Sequence, residues 1–124
     1  GKMHGNGTFF PVAGGRYTGE FENGQRHGKG ILYYANGDRY EGSFAEGKKH
    51  GDGTYFYSSG DRYRGSFADD RMDGMGIYYC ANGERFEGEY VEGKRHGEGA
   101  YHYRNGSCLR GEWWRNKHVT VVSV

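Results

Sequence analysis

The sequence predicts an all-β chain: an elongated, single-layer antiparallel sheet of tandem β-hairpins with no helices. Three observations carry this. First, the sequence repeats every 23 residues without an insertion: Tyr17, Tyr40, Tyr63 and Phe86 are evenly spaced, and Leu109 continues the series. Gly19, Gly42, Gly65, Gly88 and Gly111 keep that spacing, as do Phe21, Phe44, Phe67, Tyr90 and Trp113. Such a period marks an array whose units bury their apolar faces only against their neighbours. Second, strand formers flank a turn signal in each unit, as in Leu32-Tyr33-Tyr34-Ala35-Asn36-Gly37-Asp38-Arg39-Tyr40, which is the hairpin signature. Third, the 124 residues hold 25 glycines, one proline, 12 tyrosines, 7 phenylalanines and 2 tryptophans, and few aliphatic side chains. That material builds an aromatic layer, not a deep aliphatic core.

About five repeats fill residues 1–118. The expected hairpins span 8–21, 31–44, 54–67, 77–90 and 100–113, joined by polar, glycine-rich links ending in His-Gly-x-Gly. The β-branched run over 119–124 reads as a capping strand that covers the last open edge. Two hairpin registers are open. A two-residue turn sets Tyr33 opposite Tyr40; a three-residue loop with a left-handed glycine sets Leu32 opposite Tyr40 and Tyr33 opposite Arg39. The second gathers positions 32, 34, 40, 42 and 44 on one apolar face, as period-two alternation requires, and we adopt it. The links at Asp69-Asp70 and the lead position Leu109 depart from the pattern, and local irregularity is expected there.

Composition narrows the function classes. A net charge of +1 from 17 basic and 16 acidic residues argues against nucleic acid as a partner. No apolar run reaches the length of a membrane span. Two cysteines, Cys80 and Cys108, are too few for a disulfide scaffold, which suits a reducing, cytoplasmic setting. The chain starts in mid-pattern without an initiator Met, and is expected to be the C-terminal piece of something longer.

The segment Tyr40-Glu-Gly-Ser-Phe44-Ala-Glu-Gly-Lys-Lys-His50-Gly-Asp-Gly-Thr-Tyr55-Phe-Tyr57 resembles the MORN (membrane occupation and recognition nexus) repeat, and the resemblance covers residues 1 to 117. It implies a twisted single-layer sheet with a groove lined by the repeated aromatics. It also implies a cytoplasmic scaffold, associated with the cytoskeleton near a membrane and similar to the repeat-only scaffold proteins of protist parasites. Cytoskeletal or membrane-associated proteins are the implied partners, and phosphoinositides have been proposed as ligands of the family.

The groove residues expected to bind partners are Tyr17, Phe21, Tyr40, Phe44, Tyr63, Phe67, Phe86, Tyr90 and Trp113. An antiparallel homodimer is expected near the C-terminal end, through Trp113, Trp114, Val119, Val121 and Val122, where apolar side chains meet the end of a polar rod. The row Arg16, Arg39, Arg62 and Arg85 has two readings: cross-strand pairing, of Arg39 with Tyr33, Arg62 with Phe56 and Arg85 with Tyr79, or contact with anionic phospholipid headgroups. The acids among them cancel much of the field such a row would offer lipid.

No nucleophile–base–orienter arrangement is visible, so an enzyme is not expected. His4, His27, His50 and His96 recur two strands, about 10 Å, apart, too far for two to share one zinc ion. The Gly-x-Gly pairs precede no helix and so lack a phosphate-loop context. In the fifth unit, His102 faces Cys108. That pair is either drift in a terminal repeat or half of a Cys₂His₂ zinc site completed by a second chain. No cofactor is required beyond that candidate zinc.

Overall fold

The computed structural model describes residues 5–9, 15–115 and 117–123, and of Trp114 and residues 117–123 the backbone alone. Among the described residues eleven strands form one open antiparallel sheet whose spatial order is the order in sequence. They are β1 (Gly5–Phe9), β2 (Arg16–Glu22), β3 (Gln25–Tyr33), β4 (Arg39–Ala45), β5 (Lys48–Phe56), β6 (Arg62–Ala68), β7 (Arg71–Tyr79), β8 (Arg85–Val91), β9 (Lys94–His102), β10 (Cys108–Trp114) and β11 (Lys117–Ser123). No helix occurs among the described residues. At about 4.8 Å per strand the sheet runs on the order of 50 Å.

The three-residue register is the one observed. Leu32 faces Tyr40 and Tyr33 faces Arg39, and the same pairing recurs at Phe56 and Arg62, Tyr79 and Arg85, and His102 and Cys108. The Tyr34 N–H donates to the Asp38 carbonyl at 2.9 Å and Gly37 closes the loop at φ 96°.

The links differ from expectation: they are strand. β3, β5, β7 and β9 each begin right after a two-residue turn, so the polar segment pairs along its length. The turn at Asp69-Asp70 has the same shape as the others, with φ 49° and 70°. Its missing glycine therefore causes no irregularity. The Asp70 N–H donates to the Lys49 carbonyl at 3.1 Å, and its Oδ1 accepts from the Lys49 N–H at 2.8 Å.

The His-Gly-x-Gly motif is a bulge. Gly19 pairs with Gly30 and Phe21 with Arg26, so His27-Gly28-Lys29 stands opposite Glu20 alone. Only a left-handed middle residue makes this bend, and Gly28, Gly51, Gly74 and Gly97 have φ between 69° and 99°. Glu20, Ser43 and Ser66 are thereby left without a register partner on the following strand. Their carbonyls accept instead from the hydroxyls of Tyr17, Tyr40 and Tyr63 at 2.7, 2.8 and 3.1 Å. Here lies the reason for tyrosine at the lead position.

A second row of glycines makes room for those rings. Gly19, Gly30, Gly42, Gly53, Gly65, Gly76, Gly88, Gly99 and Gly111 face one another in succession across the sheet. Each lead ring lies on this strip, and a Cβ on Gly53 would stand 2.3 Å from the Tyr40 hydroxyl. With one sheet and no second layer among the described residues, the sheet uses its own backbone as the floor of its core.

Along this floor nine rings alternate edge to face: Phe21, Tyr17, Phe44, Tyr40, Phe67, Tyr63, Tyr90, Phe86 and Trp113, with centroids 4.8–5.8 Å apart. Each lead ring touches one ring of its own strand and one of the next hairpin. Such pairs add about 0.5–1.5 kcal/mol beyond burial, so the series couples each hairpin to its successor.

Candidate functional site

The nine rings expected to line a partner groove are this core: none is more than 7% exposed. They pack on one another, and Trp113, expected also at a dimer contact, is among them. The surface of the aromatic face comes from a second set one step nearer the hairpin loops. Tyr34, Tyr55, Tyr57 and Tyr78 form a continuous half-buried file with centroids 4.6–5.7 Å apart. Tyr101 and Tyr103 follow as a pair at 4.9 Å.

Turn carboxylates fix this file. The hydroxyls of Tyr55, Tyr78 and Tyr101 donate to Asp38, Asp61 and Glu84 at 2.8, 2.8 and 2.9 Å. The second oxygen of each acid accepts a backbone N–H from the next hairpin loop, that of Ser58, Ala81 and Arg104. Each acid thus staples its own loop to the following unit. Burial works against the charge on Asp38, yet the donors from Ser58, Tyr55 and Asn36 hold its carboxyl below the usual range. The Arg104 N–H and the Tyr101 hydroxyl do the same for Glu84. Burial pushes the Tyr55 and Tyr78 hydroxyls far up, as does donation to those acids. The acids recur at the 23-residue spacing, a signal hidden because Asp and Glu read simply as turn residues.

From the other edge, cations reach over the core. The Arg26 guanidinium lies 5.4 Å from the Phe44 ring and donates to the Gly47 carbonyl; Arg95 lies 5.2 Å from Phe86. Lys49 is buried among Tyr34, Tyr40 and Tyr55, and its Nζ bonds the Tyr34 hydroxyl at 2.8 Å. The equivalent position in the third link is Met72. Two depressions open beside the arginines, of 320 Å³ at Arg26 and 360 Å³ at Arg95.

The opposite face carries the arginine row, and stacking there differs from expectation. Arg39, Arg62 and Arg85 each have a facing residue on both sides, and in Arg16, Arg39 and Arg62 the guanidinium covers the ring of the following hairpin. Arg16 lies over Tyr33, Arg39 over Phe56 and Arg62 over Tyr79, at 4.0–4.1 Å. Arg85, whose neighbour there is His102, turns to Glu87 at 2.9 Å, and Arg39 stands 3.7 Å from Glu41. A shallow trough of 680 Å³ follows the glycine strip on this face, with Arg64, Arg110, Glu87 and Glu98 mixed along it.

Among the described residues no cluster of three or more metal-ligating side chains occurs. His27 pairs with Glu22 at 3.0 Å, and His4 lies outside the described residues. His102 and Cys108 face each other as expected, and the His102 Nε2, 3.7 Å from Glu87, is buried without a hydrogen bond. Two facing donors are half of a tetrahedral zinc set. The side chains of Trp114, Val119, Val121 and Val122, expected at a dimer contact, lie outside the described residues. No helix among the described residues is long and apolar enough to cross a membrane.

Comparison with known proteins adds three findings. The family model of the MORN repeat matches residues 1–11, 17–39, 40–62, 63–85 and 86–108. No curated protein matches the sequence. Among solved structures, the fold is similar to that of the SAS-4 (dCPAP) TCP domain of Drosophila melanogaster, a structure of that domain in complex with a Proline Rich Motif of Ana2 (dSTIL). The TM-score is 0.50 at 15% identity, covering 91% of this chain and 75% of that one.

Proposed function

Because the chain belongs to the MORN repeat family, we propose that it is a non-catalytic scaffold that binds partner proteins on its aromatic face, in a membrane-associated cytoskeletal assembly. One observation carries this: above a core whose rings are closed to solvent, a separate file of half-buried tyrosines stays accessible and is held rigid by the turn acids. Rigid aromatic surface with polar tips suits protein recognition, because little side-chain freedom is lost on binding. The similar SAS-4 domain, described with a Proline Rich Motif, supports a peptide segment as the kind of ligand. Headgroup binding through Arg16, Arg39, Arg62 and Arg85 is less favoured, since three of those guanidiniums lie on rings and two stand beside glutamates.

A photo-reactive phenylalanine analogue at position 57, on the aromatic face, or at position 79, on the other, tests this. Cross-links to partner protein should form from 57; cross-links from 79 alone overturn the proposal. Self-association near the C-terminal end belongs to the same proposal, with molar mass by light scattering as its test. A zinc ion shared by His102 and Cys108 of two chains is its finest element, and His102→Ala should remove both the zinc and the mass increase it supports.

A further inference from the structure

The two depressions on the aromatic face are copies of one another. Phe9, Tyr17, Phe21, Gly24, Arg26 and Leu32 line the first; Tyr78, Phe86, Tyr90, Gly93, Arg95 and Tyr101 occupy the equivalent positions of the second, three repeats on. Among the described residues, the one charged residue in each lining is an arginine set among rings and aliphatic carbons. The two intervening copies of this position are different. Lys49 fills its own niche, with its Nζ on the Tyr34 hydroxyl, and Met72 brings no charge. The outer two niches are therefore open and cationic.

Resting on the reading that partners bind this face, we propose that the two niches form a paired anchor site for one extended acidic peptide, each niche taking an apolar side chain with a neighbouring carboxylate. Charge complementarity carries the choice of occupant. Among the described residues neither lining holds a carboxylate, and the acid bonded to Tyr101, Glu84, already accepts from that hydroxyl and from the Arg104 N–H. A guanidinium has five N–H donors in a fork matched to carboxylate; the bond from Arg26 to the Gly47 carbonyl uses one. The volumes fall at the lower end of side-chain and small-ligand pockets, which are mostly apolar with a few orienting polar groups.

Geometry then sets the spacing. Three hairpins are six strands, or about 29 Å at ~4.8 Å per strand, which an extended peptide crosses in roughly nine residues. Both anchors on one chain make the second contact intramolecular, so the pair should bind at least about tenfold tighter than either alone.

Fluorescence polarisation with synthetic peptides tests this. The probe carries two Phe-Glu pairs about nine residues apart in a Gly/Ser/Thr background. The controls replace both Glu with Gln, both Glu with Lys, or delete one pair. Arg26→Met and Arg95→Met are suitable variants, because Met72 shows that the fold takes methionine at this position. The two-anchor acidic peptide should bind best, weaken about tenfold in either variant, and weaken by more than that when both Glu become Gln. Equal binding of the Gln peptide, untouched by either variant but lost in Tyr78→Ser, overturns the arginine anchors while leaving the aromatic face as the interaction surface. No binding by any peptide overturns the proposal, and the position-57 cross-link then decides separately whether partners use this face. Phosphatidylserine vesicles form the last arm: binding that requires Arg26 and Arg95 while the peptides stay unbound overturns the proposal in favour of a lipid surface.

Discussion

Gly53→Ala is the sharpest probe of how this sheet holds its core. A Cβ at position 53 would stand 2.3 Å from the Tyr40 hydroxyl oxygen and 2.5 Å from its Cε1 and Cζ. Ordinary heavy-atom contacts lie near 3.5–4.0 Å, so the ring must lift by more than about 1 Å. It has nowhere to go: Tyr40 is 0% exposed, wedged between Phe44 at 5.1 Å and Phe67 at 5.0 Å, and bonded to the Ser43 carbonyl at 2.8 Å. Lifting it adds overpacking strain of about 1–3 kcal/mol and gives up about 1 kcal/mol of hydrogen bond. We expect a loss near 3 kcal/mol, a large share of the 5–15 kcal/mol typical of a domain. Urea unfolding followed by circular dichroism measures it. The control is Gly53→Ala in a Tyr40→Ala background, where no ring lies above the strip and the same methyl should change stability by less than about 1 kcal/mol. A small effect in the single variant, or a full effect that persists in the double, refutes the picture of rings lying on glycine.

Phe86→Tyr should stabilise the chain by about 1 kcal/mol, because the fourth lead ring is the one lacking a hydroxyl to reach the residue opposite its bulge, Glu89; a loss of stability in thermal melts would mean that Gly99 leaves no room for the oxygen. Asp38→Ala should lose about 2 kcal/mol, since Tyr55 and the Ser58 N–H lose their shared acceptor. The depressed carboxyl of Asp38 contributes stability that is present above its unfolded value near 3.9 and is lost as pH falls through the lower folded value; Asp38→Asn should therefore flatten the acid limb of a stability–pH curve. At the alkaline end the sign reverses. Burial raises the hydroxyls of Tyr40, Tyr63 and Tyr90 well above 10, so stability is intact below about 10 and falls as the unfolded chain alone ionises. Three such groups amount to about 4 kcal/mol at pH 11, and nearer 2 with allowance for water close to a single-layer sheet. Tyrosinate absorbance should rise in step with loss of the sheet signal; a rise for all 12 tyrosines near pH 10 with the sheet intact contradicts that burial.

The sequence disclosed whatever depends on two adjacent strands. Spacing located the rings, and alternation chose the register that places Leu32 opposite Tyr40 and Tyr33 opposite Arg39. What it hid depends on a third strand or on the bend of the sheet. Arg39 has Tyr33 on one side and Phe56 on the other, and no pairwise rule says which ring its guanidinium covers. The His-Gly-x-Gly run looked like a loop because glycine and charge suit loops equally, whereas here it bulges within a paired strand. The periodic rings were expected to line a partner groove. Only the bare glycine strip, which lets a tyrosine lie flat on backbone, shows why they are closed and why the tyrosines beside them take over the surface. The positions 26, 49, 72 and 95 were equally periodic, but their meaning lies in the differences among them.

Those differences follow from the construction of the sheet. Where each unit contacts only its neighbours, a residue whose role is to couple units must recur, and the lead ring, the ring four residues after it and the glycine strip recur almost without exception. A residue that leaves coupling intact is released from the period. Arg26, Lys49, Met72 and Arg95 all lie over the core from the same edge, yet they differ in charge and in what they leave open. Variation against a constant lattice is thus the place to look for recognition, and a rigid repeat translates it into distance. Each added hairpin moves two sites apart by about 9.6 Å without altering either one. Such a sheet can specify the spacing of its contacts by counting units, and their chemistry by single substitutions over a core that stays the same.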